Sequence, residues 1–215
     1  MSVPIANALL TVFGGSVHSE YLHPVLAPLA VGPGRRPEVD FAVVKNYPKV
    51  DCVVESKWIG KNGVSASEII WDLLRLELVA YHESASAYFL LAGKRKHLER
   101  FFQSSSFLGK PARDGTYRRL LKLDRRANAR IRVDNPPRDR LQTFQKLLSP
   151  YQSLSFSSRV TTSTPHVYPI ESPMFQYQVY AWQVIAVPGT PRFRPEDHSF
   201  YKSSGNCPID TALTV

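Results

Sequence analysis

The chain has 215 residues, 43% of them hydrophobic, which suits one compact domain with extensions or at most two small domains. No apolar run approaches the roughly 18 to 20 residues of a membrane helix, and the start "MSVPIANALLTVFGG" lacks the basic n-region of a secretory leader, so a cytoplasmic protein without a membrane partner is expected. Two cysteines, Cys52 and Cys207, exclude a disulfide framework and a cysteine-rich zinc site, while a net charge of +9 points to a polyanionic partner.

The segment "SVHSEYLHPVLAPLA" spaces Val17, Leu22, Leu26 and Leu29 as a helix would, with Pro24 and Pro28 implying a kink or an early end. After the turn-forming "GPGRRP", the runs "EVDFAVV" and "VDCVVESKWI" read as strands of a hairpin around "KNYPK". A helix follows to about Tyr81, capped by Ser65 or Ser67, and Glu68 is placed to complete a capping box with Ser65. Its apolar residues run nearly all round, so it should be largely buried. "SAYFLLAG" reads as a third strand and "RKHLERFFQSS" as a short helix.

Charge then changes abruptly. Residues 94–146 hold 16 Lys/Arg against 5 Asp/Glu, whereas residues 1–93 hold 7 against 9. Within the basic part, Arg118, Arg119, Lys122, Arg125, Arg126, Arg130 and Arg132 recur too densely for a core and are expected to face phosphates; a solvated basic helix is the plainer alternative. "DRLQTFQKLL" reads as a helix, and "FQYQVYAWQVIAV" as a strand that extends the sheet or forms a second one. The expected organisation is a core over 1–103, a basic and β-rich elaboration over 104–187, and a Pro-rich tail over 188–215.

The hairpin carries the chemistry. Residues two apart in a strand share a face, so Glu55 and Lys57 project together, and pairing around the turn brings Asp40 level with Glu55. Two facing carboxylates in an apolar setting repel, a cost that a divalent cation removes; oxygen ligands with open water positions suit Mg²⁺ or Mn²⁺. Lys57 beside such an ion can orient or deprotonate a water, or stabilise charge on a phosphate. A Glu/Lys pair on a solvated hairpin face is the simpler alternative. On the following helix Glu68, Asp72 and Arg75 form a polar stripe that could look at the same place, or make a surface ion pair, with Glu77 nearly opposite.

Asp40, fourteen intervening residues, then "ESK", followed by a helix and a further strand, resemble the PD-(D/E)XK, or restriction-endonuclease-like, nuclease superfamily. The resemblance spans roughly residues 15 to 103, with "PEVD" in place of the tight Pro-Asp pair. It implies an α/β fold with a restriction-endonuclease-like core: a helix, a central mixed sheet and flanking helices. It implies that Asp40 and Glu55 bind the metal and that Lys57 assists the attacking water. A Glu from the preceding helix often completes such sites, and Glu20 is the sole acidic residue before Glu38.

The expected function is therefore Mg²⁺-dependent hydrolysis of phosphodiester bonds, foremost in DNA. A non-catalytic nucleic-acid-binding or partner-binding module of the same fold is the alternative from another class, and a metal-free carboxylate-pair hydrolase is a third. A homodimer or a subunit of a larger complex is compatible with the sequence.

Overall fold

The structure is a computed structural model that describes residues 2–30, 36–111, 113, 115, 117–124, 128–169, 176–199 and 201. Its N-terminal stretch is a helix, α1 (Ser2–Phe13), without a single charged residue. Ile5, Ala6 and Leu9 lie on one side of α1 and pack on Phe41, Val43, Cys52 and Val54, so the helix covers one face of the sheet described below.

The segment expected to form a helix does something else. Val17–Tyr21 is a strand, β1, and a short 3₁₀ helix over Pro24–Leu29 follows it. Pro24 starts that turn, where its missing N–H costs nothing, and His23 caps it by accepting from Val25 N at 3.2 Å. The helical spacing of Val17 and Leu22 loses to strand pairing, because the backbone of β1 bonds to the neighbouring strand (Val17↔Val43 to Tyr21↔Val39). Glu20 consequently stands on a strand and not on a helix.

β2 (Val39–Asn46) and β3 (Lys49–Ile59) form the expected antiparallel hairpin. α2 (Ala66–Glu83) is capped by Ser65 and Glu68 as anticipated, then crosses to β4 (Ser86–Lys94), which runs parallel to β3. A parallel neighbour requires such a long connection, and the crossover lays α2 over the sheet face opposite α1. α3 (Arg95–Phe102) and α4 (Ser105–Leu108) close that side with Phe101, Phe102 and Phe107 in mutual ring contact.

The second half of the chain adds strands to the same sheet. β5 (Ala129–Arg132), helix α5 (Leu141–Leu148), β6 (Phe156–Ser157), β7 (Arg159–Thr162), β8 (His166–Tyr168) and β9 (Tyr177–Ile185) follow in order. The sheet runs β1-β2-β3-β4-β9-β7-β5, with β8 also on β9, and only the β3–β4 pair is parallel. One apolar core extends beneath it from Leu26 to Tyr201. The described part of the Pro-rich tail is packed rather than loose: β10 (Arg192–Phe193) pairs with β6, and the buried Tyr201 donates its hydroxyl to Val133 O. The fold is thus mixed α/β with a central mixed sheet and flanking helices. Among the described residues no helix is long and apolar enough to cross a membrane.

Candidate active site

The register at the β1–β2–β3 edge aligns three carboxylates. The pairs Ser19↔Phe41 and Tyr21↔Val39 bracket Glu20 and Asp40, and one step beyond Phe41↔Val54 brings Asp40 level with Glu55. All three line a cavity of about 530 Å³, together with Lys57 and the Glu68, Asp72 and Arg75 stripe of α2. The α2 crossover is the reason: packing on β3 and β4 turns one polar edge of an otherwise buried helix toward the carboxylates of the hairpin.

Within the cavity the charges are shared. Arg75 Nη2 lies 2.9 Å from Glu55 Oε1 and 2.6 Å from Asp72 Oδ1, while Arg75 Nη1 donates to Glu38 O at 2.5 Å. Lys57 Nζ lies 2.9 Å from Asp72 Oδ2. Asp40 Oδ2 accepts from both Ser56 N and Ser56 Oγ at 2.8 Å, which fixes its orientation across the hairpin. Glu68 is committed mainly to the helix cap: its Oε2 accepts from Ser65 N at 2.8 Å and from Ser65 Oγ at 2.6 Å, bonds that hold its carboxyl below the usual range. Glu20 is exposed at the cavity rim with φ 50°, a left-handed conformation uncommon for a residue other than glycine.

Burial makes this charge balance costly. The Glu55 side chain is 1% exposed, and burial pushes its carboxyl up to about 9; Arg75 and Lys57 oppose this, while Asp72 and Asp40 add to it. Burial also raises Asp72 against the pull of Lys57 and Arg75. For Lys57, burial works to lower the value, but Asp72, Glu55 and Asp40 outweigh it and the ammonium is held above its ordinary range. Lys57 therefore stays charged at neutral pH. Asp40, Glu55 and Asp72 outnumber Lys57 and Arg75 by one charge, and a proton on Glu55 restores neutrality.

Trp71 and Tyr151 form the cavity's aromatic wall, stacked with ring centroids 5.2 Å apart and planes at 17°. Sequence reasoning overlooked both. Trp71 could have been found, since it lies three residues after Glu68 and four before Arg75 on one helix face. Tyr151 could not, because nothing local links it to a helix eighty residues earlier; its hydroxyl reaches Leu29 O at 3.1 Å. Glu77 lies away from the cavity, where Glu77 Oε1 meets Arg192 Nη1 at 3.1 Å.

Of the expected phosphate-facing residues, Arg118, Arg119, Lys122, Arg130 and Arg132 gather around a different cavity at the far sheet edge. Arg130 and Arg132 stand on β5, and Arg132 is tied to Asp134. Arg125 and Arg126 lie outside the described residues.

No protein-family model matches this chain, and no curated protein or solved structure matches it significantly. Among the described residues no three His, Cys, Asp or Glu side chains converge to hold a metal ion. Glu55 Oε1 and Asp72 Oδ2 are buried and each is held by a single cation, Arg75 Nη2 and Lys57 Nζ respectively, both at 2.9 Å. Together with Asp40 these hard carboxylate oxygens are the groups in the cavity that could hold a divalent ion, in exchange for part of that ion pairing.

Proposed function

We propose that the chain is a metal-dependent phosphodiesterase acting on nucleic acid, DNA in the first place, through the cavity of Asp40, Glu55 and Lys57. The observation that carries this reading is the alignment of Asp40 with Glu55 on adjacent strands, with Lys57 two residues on, lining one cavity. Asp40 and Glu55 would hold Mg²⁺ or Mn²⁺. When bound, the ion supplies Lewis-acid stabilisation and a more acidic water.

The remaining work falls to the chain. Lys57, charged at neutral pH, serves as an electrostatic partner for the phosphate rather than as a general base. Arg75 holds Glu55 and Asp72 in place and keeps them from repelling each other. Ser56 fixes the Asp40 carboxylate through two hydrogen bonds to Oδ2, which would leave Oδ1 pre-oriented to help hold an ion. The stacked Trp71 and Tyr151 offer a flat wall against which a sugar or base can rest.

Purified protein is incubated with linear, nicked, branched and single-stranded DNA and with RNA, in Mg²⁺, in Mn²⁺ and with chelator. Chelator should abolish cleavage. Asp40→Ala and Glu55→Ala should lose Mn²⁺ binding by calorimetry as well as cleavage, while Lys57→Ala keeps the metal and loses most cleavage. Unchanged cleavage in all three variants overturns the assignment. A specific observation supports a second reading, a non-catalytic nucleic-acid-binding module: Lys57 and Arg75 already compensate Glu55 and Asp72. DNA binding without any Mn²⁺ uptake selects that module.

A further inference from the structure

A second concave site lies at the opposite edge of the sheet from β1. It is a cavity of about 600 Å³ between β5 and the chain that precedes it. Arg118, Arg119, Lys122, Arg130 and Arg132 line it against one acid, Asp124. Arg118, Arg119 and Arg130 are exposed and form no ion pair among the described residues. Arg132 differs, since Arg132 Nε and Nη2 donate to Asp134 at 3.2 and 3.1 Å.

The cations are held on a rigid frame. Leu120 and Leu121 are buried beneath them, Leu120 N donates to Phe107 O at 3.0 Å, and Trp182 Nε1 of the central strand β9 donates to Lys122 O at 2.8 Å. Pinning the backbone this way turns Arg118 and Arg119 outward. Arg140 lies in the cavity floor, 5% exposed, with its guanidinium spent on Ser106 O and Phe107 O at 3.1 and 2.9 Å. Its charge adds to the local potential without being available to a ligand. Like charges fixed at close range repel, and a polyanion is the partner that relieves them. Tyr117, half exposed at the rim, adds a ring beside the charges.

Position is as informative as charge. β5 is four strands from β3, and its Arg130 and Arg132 alternate to the sheet face opposite Glu55 and Lys57, so at about 4.8 Å per strand this cavity lies at least about 19 Å from them, around the sheet edge. Duplex DNA advances about 3.4 Å per base pair, so at least about six base pairs are needed to reach from one cavity to the other.

We propose that this cavity is a backbone anchor for nucleic acid, separate from the hydrolytic cavity, and that it makes productive engagement depend on substrate length. The length dependence rests on the hydrolytic reading above, whereas the anchor itself is a binding site and stands without it. Arg118, Arg119 and Arg130 take the phosphates, with Lys122 behind them. Substrates that extend fewer than about six base pairs from the scissile bond reach the carboxylates alone.

The test uses the full chain and the triple variant Arg118→Gln/Arg119→Gln/Arg130→Gln. The control is Lys45→Gln/Lys49→Gln/Lys96→Gln, three exposed lysines elsewhere that remove the same charge. Binding to a long labelled DNA duplex is titrated over a series of salt concentrations without metal, and cleavage of duplexes of graded length is followed with Mg²⁺. The triple variant should bind more weakly than the control at low salt, and its plot of log affinity against log salt should flatten by up to about 0.9 for each phosphate that is no longer neutralised. It should also lose cleavage efficiency on long duplexes while matching wild type on short ones. A triple variant that binds long DNA like the control, with the same slope, overturns the anchor. If wild type cleaves nothing in any metal the hydrolytic reading fails, and the binding titration still decides the anchor.

Discussion

Arg75 Nη2 stands 2.9 Å from Glu55 Oε1, and the two side chains are 12% and 1% exposed. A helix residue and a strand residue thus share one buried charge balance, which Asp72 and Lys57 complete. Removing a member leaves an uncompensated charge on a largely buried group, so the cavity is a point of low tolerance in the fold.

Arg75→Met should destabilise the protein by about 3 to 5 kcal/mol in urea unfolding at neutral pH, because Asp72 and Glu55 lose their shared cation and Glu38 O loses a donor. A loss under about 1 kcal/mol would mean that the acids are neutral without Arg75.

Stability of the metal-free protein should fall as pH rises. Glu55 holds its proton in the folded state up to about 9, against 4.5 for the free side chain, so the folded state binds the extra proton between those values and loses that advantage as pH climbs through the upper one. Mn²⁺ affinity should move the other way, rising with pH as the proton leaves, with proton release on binding visible in calorimetry run in buffers of different ionisation enthalpy. Glu55→Gln, which mimics the protonated acid, should keep apo stability and flatten its pH dependence while abolishing metal uptake.

If the cavity hydrolyses DNA as proposed, Lys57→Ala should lower kcat by about 100-fold or more, through loss of a preorganised charge beside the phosphate. Lys57→Arg keeps the charge and should recover part of this. Because Lys57 remains protonated well into the alkaline range, kcat in saturating metal should show no alkaline fall attributable to it below pH 9.

Arg192→Ala should cost about 3 kcal/mol of stability without changing metal binding. The Arg192 guanidinium pairs with the buried Glu77 at 3.1 Å, donates to Ser155 O at 3.0 Å and lies 4.1 Å from the Tyr81 ring centroid, so it ties β10 to α2 away from the Asp40–Glu55 cavity. Thermal unfolding alongside Mn²⁺ calorimetry separates the two effects.

Ser65→Ala should cost about 1 kcal/mol, since Ser65 Oγ accepts from Glu68 N and Glu68 in turn accepts from Ser65 N. Ser65→Asp should recover most of it by restoring the cap acceptor at the helix N-terminus.

Local signals made much of the core legible. The β2–β3 hairpin, α2 with its Ser65 cap, β4, α3, α5 and β9 are each specified by a period, a cap or a turn within a few residues, because backbone hydrogen bonding and amphipathic burial act over that range. The facing of Asp40 and Glu55 followed from strand alternation together with hairpin pairing around the 45–49 turn. Segment 17–29 was misleading for a matching reason: its helical spacing is real, but an open edge on β2 satisfies the backbone of Val17–Tyr21 better than a helix interrupted by two prolines could. What only tertiary structure decided is who shares charge with whom. Arg75 meeting both Glu55 and Asp72, Lys57 turning to Asp72, Tyr151 stacking on Trp71, and the basic residues collecting at the β5 edge all depend on how α2 and the later strands pack on the sheet. Burial sets the protonation of Glu55, and burial is a property of the assembled core that no stretch of sequence carries by itself.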